Sequence, residues 1–259
     1  MNTDASDKAT QETLIDVHRW TDSLFTIKTT KPADYSFTPG QYARLGLDVD
    51  GILVWRAYSI VSTPADDYLE YYGVLVPDGT FTPRLTSLAP GHTIWTEKQP
   101  YGFMTAERFT DGEHLWMLAT GTGIGPFISI LRDAAVWSRF SEIVLVHCVR
   151  HANEFSYGEE LKEMSNRSQY EGGTRLHYIR SATRDSALPE GVLDKRITTL
   201  LESGELEEIV GLPLTIEKSR IMLCGNPQMI EDTRKLLHAR DMRPVRRMLP
   251  GQFVTENYW

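Results

Sequence analysis

Cysteine is scarce in this chain of 259 residues: only Cys148 and Cys224 occur. Both lie in apolar runs, "IVLVHCV" and "IMLCG". That placement suits small buried thiols rather than a disulfide framework. Two thiols are too few for the four ligands of an iron–sulfur cluster. Neither CxxC nor HExxH occurs, so no metal site is expected. No apolar run approaches the roughly 20 residues of a membrane span. The opening residues "MNTDASDKATQET" lack the apolar stretch of a secretion signal and read as a short frayed tail, which points to a cytoplasmic protein. An excess of positive charge is also missing. The net charge is −8, which argues against nucleic acid as the main partner. With 41% hydrophobic and 24% charged residues the composition is that of an ordinary globular protein, long enough for two domains.

Charge and rhythm are both uneven. Between Arg234 and Arg247 lie Lys235, Arg240, Arg243 and Arg246, against the single acid Asp241. Such a stretch either steers an acidic partner or supplies cations to a helix C-terminus. Residues 1–105 contain "LFTIKTT", "QYARLGLDV", "LVWRAYSIV", "LEYYGVLV" and "HTIWTEK". These are short β-branched and aromatic segments separated by "FTPGQ", "STPADD", "VPDGT" and "LAPGH". That punctuation predicts an antiparallel β-barrel or sandwich, with a short helix at "TPRLTSL" where Pro83 suits a first turn. Residues 106–259 change to near-continuous apolar strands, "HLWMLAT", "IVLVHCVR", "LHYIRSA" and "RIMLCG". Helical patterns alternate with them: "PFISILRDAAVW", "YGEELKEMSNRSQ", "VLDKRITTLLESG" and "PQMIEDTRKLLHAR". The alternation predicts a doubly wound α/β domain with a parallel sheet.

The stretch "LATGTGIGPFISILRD" places Gly121, Gly123 and Gly125 between the first strand of the second half and its first helix. Backbone N–H groups there face a pyrophosphate, or the glycines simply let helix pack on sheet. At the end of the second strand, where an acid would bind the ribose of NAD, stands Arg150; Arg184, Lys195 and Arg196 follow later strand or helix ends. An arginine there suits the 2′-phosphate of NADP, and several can converge on one dianion. Taken singly, each is an ordinary solvated arginine. Cys224 and Gly225 end the fourth strand; a small Cys there lets a nicotinamide approach or is simply buried. In "RAYS", Arg56 can meet a pyrophosphate, Tyr58 can stack on a flat ring and Ser59 can hydrogen-bond it. The tetrapeptide alone reads as the solvent-facing alternation of a half-buried strand.

As a set, "FTPGQYARLGL", "WRAYSIVS", "VPDGTFTPRL", "LWMLATGTGIGPFISIL", "ESGELE", "LCGNPQM" and "ENYW" resemble the ferredoxin–NADP reductase family over nearly the whole chain, specifically the bacterial flavodoxin/ferredoxin–NADP reductases. The resemblance implies a two-domain fold: an FAD-binding antiparallel β-barrel in 1–105, then an NADP-binding α/β domain in 106–259 whose C-terminal tail returns to the flavin. Arg56, Ala57, Tyr58 and Ser59 would hold FAD, the backbone of Tyr71 and Gly73 would line it, and Thr80, Phe81 and Thr82 would cradle its pyrophosphate. Thr122 would approach the flavin. Val149, Arg150, Thr183, Arg184 and Arg196 would take the 2′-phosphate side of NADP, and Gly225, Asn226, Pro227 and Asp232 the nicotinamide side. Tyr258 and Trp259 would close over FAD.

The chain departs from the plant-type pattern, which ends in tyrosine; ending in Trp259 leaves open which terminal aromatic covers which ring. The segment "RDSALPEGVLDKR" is long, so Lys195 shares or replaces the role of Arg196. The implied reaction moves hydride between nicotinamide C4 and flavin N5, then single electrons to a ferredoxin or flavodoxin. Ser59 would bond near N5, Tyr58 would stack on the flavin and Cys224 would admit the nicotinamide. Glu256 is either a proton handler or an exposed tail acid. Arg240, Arg243, Arg246 and Arg247 would form the docking face of a monomer. Two other readings carry the same motifs: the reductase component of an oxygenase, against which Arg150 and the cysteine count speak, and a nucleotide-binding regulatory subunit without turnover.

Overall fold

The protein is described here by a computed structural model covering residues 7–170, 173–247 and 249–257. It divides into two compact units. One comprises the chain through Thr105 together with Gly125–Asp133; the other comprises Ala106–Ile124 and the chain from Ala134 onward.

The first unit is a six-stranded antiparallel sheet built from β1 (Ala9–Arg19), β2 (Leu24–Thr30), β3 (Tyr42–Val49), β4 (Ile52–Ser59), β5 (Tyr68–Val74) and β6 (Thr93–Glu97), in the order β4-β3-β6-β1-β2-β5. Its edge strands meet through an Ile60–Tyr71 bridge, and the Val61 N–H donates to the Glu70 carbonyl at 2.8 Å. The sheet therefore closes on itself, which removes exposed edges. Alternate residues fill the interior: Phe25 and Ile27, Ala43, Leu45 and Leu47, Tyr58 and Ile60, Leu69 and Tyr71. A short helix, α1 (Thr82–Ser87), carries Pro83 in its first turn and buries Leu85.

β1 corrects the expectation of a frayed tail, because residues from Ala9 onward form a strand between β6 and β2. Its polar letters conceal a partly buried strand in which Glu12 and Leu14 share one buried face and Ala9 is buried on the other. Glu12 is buried because the Thr30 hydroxyl donates to its carboxylate.

The second unit is a six-stranded parallel sheet made of β7 (His114–Thr120), β8 (Glu142–Val149), β9 (Arg175–Ala182), β10 (Val192–Leu193), β11 (Ser219–Gly225) and β12 (Phe253–Asn257), in the order β10-β9-β8-β7-β11-β12. The chain lays β8, β9 and β10 on one side of β7, then crosses back to place β11 and β12 on the other. The C-terminal ends of β7 and β11 thus flank a topological switch point, where such sheets bind ligands. Every residue of β11 is buried, as the unbroken apolar run required.

Three helical expectations change. "PFISILRDAAVW" breaks at Asp133 into α2 (Gly125–Arg132) and α3 (Ala134–Trp137). In "VLDKRITTLLESG", Val192 and Leu193 pair with Arg180 and Ser181 as an edge strand, and the helix α5 starts only at Ile197; α4 (Gly158–Tyr170) precedes β9. A further helix, α6 (Glu205–Val210), is bounded by left-handed glycines, Gly204 at φ 77° and Gly211 at φ 74°. Helix α7 (Pro227–Ala239) follows β11, and the tail returns through β12 as a parallel edge strand.

Helix α2 belongs by its contacts to the first unit. Ser129 Oγ donates to the Ser62 carbonyl at 2.7 Å, and Arg132 Nη1 reaches the Glu70 carboxylate at 2.9 Å and the Val61 carbonyl at 3.2 Å. Those acceptors line the seam where the barrel closes. Both side chains of the pair are largely shielded from water, 19% and 5% exposed. Removing one partner takes from the other its short, shielded ion pair. Arg132→Ala is therefore expected to cost about 3 kcal/mol in chemical denaturation, and adding Glu70→Gln should restore part of it. A loss under about 0.5 kcal/mol would show that the pair behaves as a solvated one.

Candidate functional site

In the first unit, β4 presents "RAYS" across its end. Arg56 and Ala57 are exposed and Tyr58 and Ser59 are buried. The Arg56 guanidinium donates to its neighbour's carbonyl, Trp55, at 2.7 Å and extends over the surface. The Tyr58 ring lies 6.0 Å from the Phe81 ring, tilted by 33°. Burial pushes the Tyr58 hydroxyl well above its usual range, so it stays a neutral donor. Gly73 lies in β5 beneath Tyr58. A Cβ there would fall 2.8 Å from the Tyr58 and Phe25 rings, so the glycine makes room for the aromatic pair. Tyr71 sends its side chain into the barrel core, which leaves only its backbone for a ligand.

Thr80 is exposed, while Phe81 and Thr82 are buried at the start of α1. The Thr82 hydroxyl already accepts the Val76 N–H at 2.9 Å, so it closes its own loop. An exposed guanidinium, a shielded ring and hydroxyl and a side-chain-free strand position on one edge fit a flavin nucleotide.

In the second unit the glycine loop is shaped by how closely β7 and β11 end. A Cβ on Gly123 would clash with the Cys224 carbonyl, and one on Gly225 with Thr120. The Asn226 N–H donates to Thr120 Oγ1 at 2.7 Å. Gly121 has φ 54° and nothing within 4 Å of a would-be Cβ, so its surface is open. The packing reading therefore applies at Gly123 and Gly225, while Gly121 leaves the surface that a nucleotide contact would need. Thr122 is buried inside the turn.

His147, which the sequence reading did not single out, lies fully buried on β8 beneath the loop. Its Nε2–H donates to the Gly121 carbonyl at 3.1 Å. Burial pushes the ring down to about 4, so it is neutral at physiological pH.

Three arginines stand at the C-terminal edge of this sheet. Val149 ends β8; Arg150 follows it, and the Arg184 N–H donates to the Arg150 carbonyl at 2.9 Å. The Thr183 N–H donates to the Val149 carbonyl at 3.2 Å. Arg196 precedes α5. All three side chains are exposed, and none forms an ion pair among the described residues. Lys195 differs: its ammonium is held by Glu205. The three open guanidinium groups fit a dianionic phosphate.

The residues expected on the nicotinamide side are partly committed to the fold. Asn226 caps α7, its side-chain oxygen accepting from Gln228 and Met229, and Pro227 opens that helix. Asp232 sits farther along α7, bonded to Gln228 and Lys235 on the helix surface. Cys224 is fully buried, and its thiol is pushed up by that burial. Across the ladder, Cys224 pairs in register with Glu256. Glu256 is half-buried, and desolvation pushes its carboxyl up to about 7. Tyr258 and Trp259 lie outside the described residues.

Arg240 is less available than expected, because Glu207 takes its guanidinium at 2.7 Å and the Leu201 carbonyl at 3.1 Å. Arg243, Arg246 and Arg247 are exposed.

A closed antiparallel sheet followed by a doubly wound parallel sheet with an arginine-rich edge defines a flavin- and pyridine-nucleotide-dependent oxidoreductase. Residues 17–105 match the oxidoreductase FAD-binding domain family, and residues 117–235 the oxidoreductase NAD-binding domain family. The chain is 45% identical to the flavodoxin/ferredoxin–NADP reductase of Escherichia coli K12 over 94% of its length and 96% of that protein. It is 36% identical to the ferredoxin–NADP reductase of Azotobacter vinelandii over 95% of each. The crystal structure of a ferredoxin NADP+ reductase from Neisseria gonorrhoeae with bound FAD and NADP superposes with a TM-score of 0.90 at 36% identity, covering 96% of this chain and 98% of that one. This chain belongs to the flavodoxin/ferredoxin–NADP reductase family.

The raised Glu256 carboxyl has a thermodynamic consequence. In the unfolded chain it ionises near 4.5; in the folded chain it keeps its proton up to about 7. The native state binds the extra proton, so this group's contribution to stability falls as pH rises between those values and is flat above them. Glu256→Gln removes the titration. Its stability relative to the parent is expected to improve between pH 5 and pH 8, on the order of 2 kcal/mol in denaturant midpoints. A difference independent of pH would show that Glu256 is ionised in the folded protein at neutrality.

Proposed function

We propose that this chain carries electrons between NADPH and a ferredoxin or flavodoxin, with FAD held on the barrel and NADPH on the parallel sheet. Bound FAD supplies the conversion between hydride transfer and single-electron steps. The protein's part is binding, orientation and control of protons. Arg56 neutralises pyrophosphate charge, Tyr58 offers a ring fixed by Phe81 and Gly73, and Ser59 offers a shielded hydroxyl. The α1 start with Thr80, Phe81 and Thr82 adds backbone amides, and Thr122 lies in the turn of the glycine loop. On the sheet edge, Val149, Arg150, Thr183, Arg184 and Arg196 hold the 2′-phosphate, while Cys224, Gly225, Asn226 and Pro227 bound the nicotinamide side. Asp232 is the weakest member of that set, because its carboxylate serves its own helix. Glu256, with a carboxyl poised near neutrality beside Cys224, can hold or release a proton at the end of β11.

The observation that carries this reading is the trio of exposed, unpaired guanidinium groups at the C-terminal edge of the sheet. It favours NADPH over NADH and so disfavours an NADH-linked oxygenase reductase. Among the described residues, no helix is long and apolar enough to cross a membrane. We read the chain as a cytoplasmic monomer whose acidic partner docks on Arg243, Arg246 and Arg247, with Arg240 serving mainly the fold.

Anaerobic titration of the purified holoprotein tests the nucleotide choice. NADPH is expected to bleach the visible flavin band rapidly and NADH slowly; equal rates would remove the 2′-phosphate assignment. For the docking face, Arg243→Glu with Arg246→Glu should slow turnover with ferredoxin or flavodoxin by about tenfold at low salt, less at high salt, and leave reduction of a small artificial acceptor unchanged. Unaltered low-salt turnover would place the partner elsewhere.

A further inference from the structure

We propose that Asp185 and His151 are positioning residues for nucleotide choice: they clamp the two arginine-bearing loops together so that Arg150 and Arg184 address one 2′-phosphate. The proposal rests on the reading of those arginines given above.

The ladder between β8 and β9 ends at the pair Val149–Ala182. Beyond it two backbone bonds remain, from the Thr183 and Arg184 N–H groups to the Val149 and Arg150 carbonyls; without further ties the residues that follow each arginine would move separately, and two flexible arginines would lose much of their joint affinity to ordering. The loops are not independent. Asp185 follows Arg184 directly, and its carboxylate crosses to the other loop. His151 Nδ1 lies 2.8 Å from Asp185 Oδ1, and the Ala152 N–H donates to Asp185 Oδ2 at 2.6 Å. Glu154 completes the arrangement within its own loop, its Oε2 accepting the N–H of Arg150 at 3.0 Å and of His151 at 3.3 Å. Every backbone bond around Arg150 thus has a partner, and the Arg184 amide bonds to the Arg150 carbonyl.

The same bonds occupy the carboxylate. Asp185 accepts from the imidazole and from the Ala152 amide, which hold its carboxyl below its usual range, so it stays an ionised acceptor for both bonds. Neither it nor Glu154 forms an ion pair with Arg150 or Arg184, so both guanidinium groups stay open. The base of the loop has separate support. Phe155 packs edge-on to His147 at 5.5 Å and lies 5.9 Å from the Arg180 guanidinium carbon. Loss of Asp185 should therefore free the loop tips without unfolding the sheet.

Calorimetric titration with 2′-phospho-AMP, with 5′-AMP as control, tests the clamp in the holoprotein. Asp185→Ala is expected to weaken 2′-phospho-AMP about tenfold and leave 5′-AMP unchanged. Asp185→Asn, whose amide oxygen can still accept one of the two bonds, should recover part of the affinity. In steady state, KM for NADPH should rise with kcat held, and KM for NADH should not move. Arg184→Ala is the separate test of the underlying reading. If it leaves 2′-phospho-AMP binding intact, the arginine assignment is wrong and the clamp falls with it. If Arg184→Ala weakens binding but Asp185→Ala does not, or Asp185→Ala weakens both nucleotides equally, the arginine reading stands and the clamp is overturned.

Discussion

At the C-terminal ends of β7 and β11 the two backbones come so close that no side chain fits between them. Gly123 meets the Cys224 carbonyl, Gly225 meets Thr120, and the Asn226 amide bonds to the Thr120 hydroxyl. This contact sets where the glycine loop turns, where α7 begins and where Cys224 ends its strand. It also explains the spacing of the loop. Gly123 serves packing, whereas Gly121, held from below by neutral His147, keeps an open surface. One tripeptide thus separates a packed glycine from an open one by which neighbour each faces.

The barrel depends on a comparable seam. Its edge strands join at Ile60 and Tyr71, and the residues just beyond, Val61, Ser62 and Glu70, receive the hydrogen bonds of α2. The segment that follows the glycine loop is therefore fastened to the closure of the barrel by a shielded ion pair. Tyr58 and Gly73 face each other across the same pair of strands, so the placement of the Tyr58 ring is shaped by the closure itself.

Electrostatics divides the cations into two populations. Lys195, Arg240 and Lys235 are consumed by Glu205, Glu207 and Glu231, whereas Arg150, Arg184 and Arg196 are left open at the sheet edge. Among the described residues no acid is folded against those three, so their charge stays exposed in an otherwise acidic chain. Glu256 shows the converse: desolvation alone, with no partner cation, leaves its proton near balance at neutral pH.

Much of this was legible in the primary structure. The change of hydrophobic rhythm near residue 105 and the turn punctuation pointed to an antiparallel unit and a parallel one, because period and turn chemistry are local properties, while FAD and NADP came from the resemblance carried by the ordered motifs. What stayed hidden depends on partners far along the chain. β1 looked like a polar tail because its strand character comes from pairing with β2 and β6 and from the Thr30–Glu12 bond. β12 and the two-residue β10 exist only as edges beside strands already in place. Composition could not tell Lys195 from Arg196, or Arg240 from Arg243, since a cation's availability is decided by the acid folded against it. Nor could it join His151 to Asp185, 34 residues apart, because only the register of two parallel strands brings those loops together.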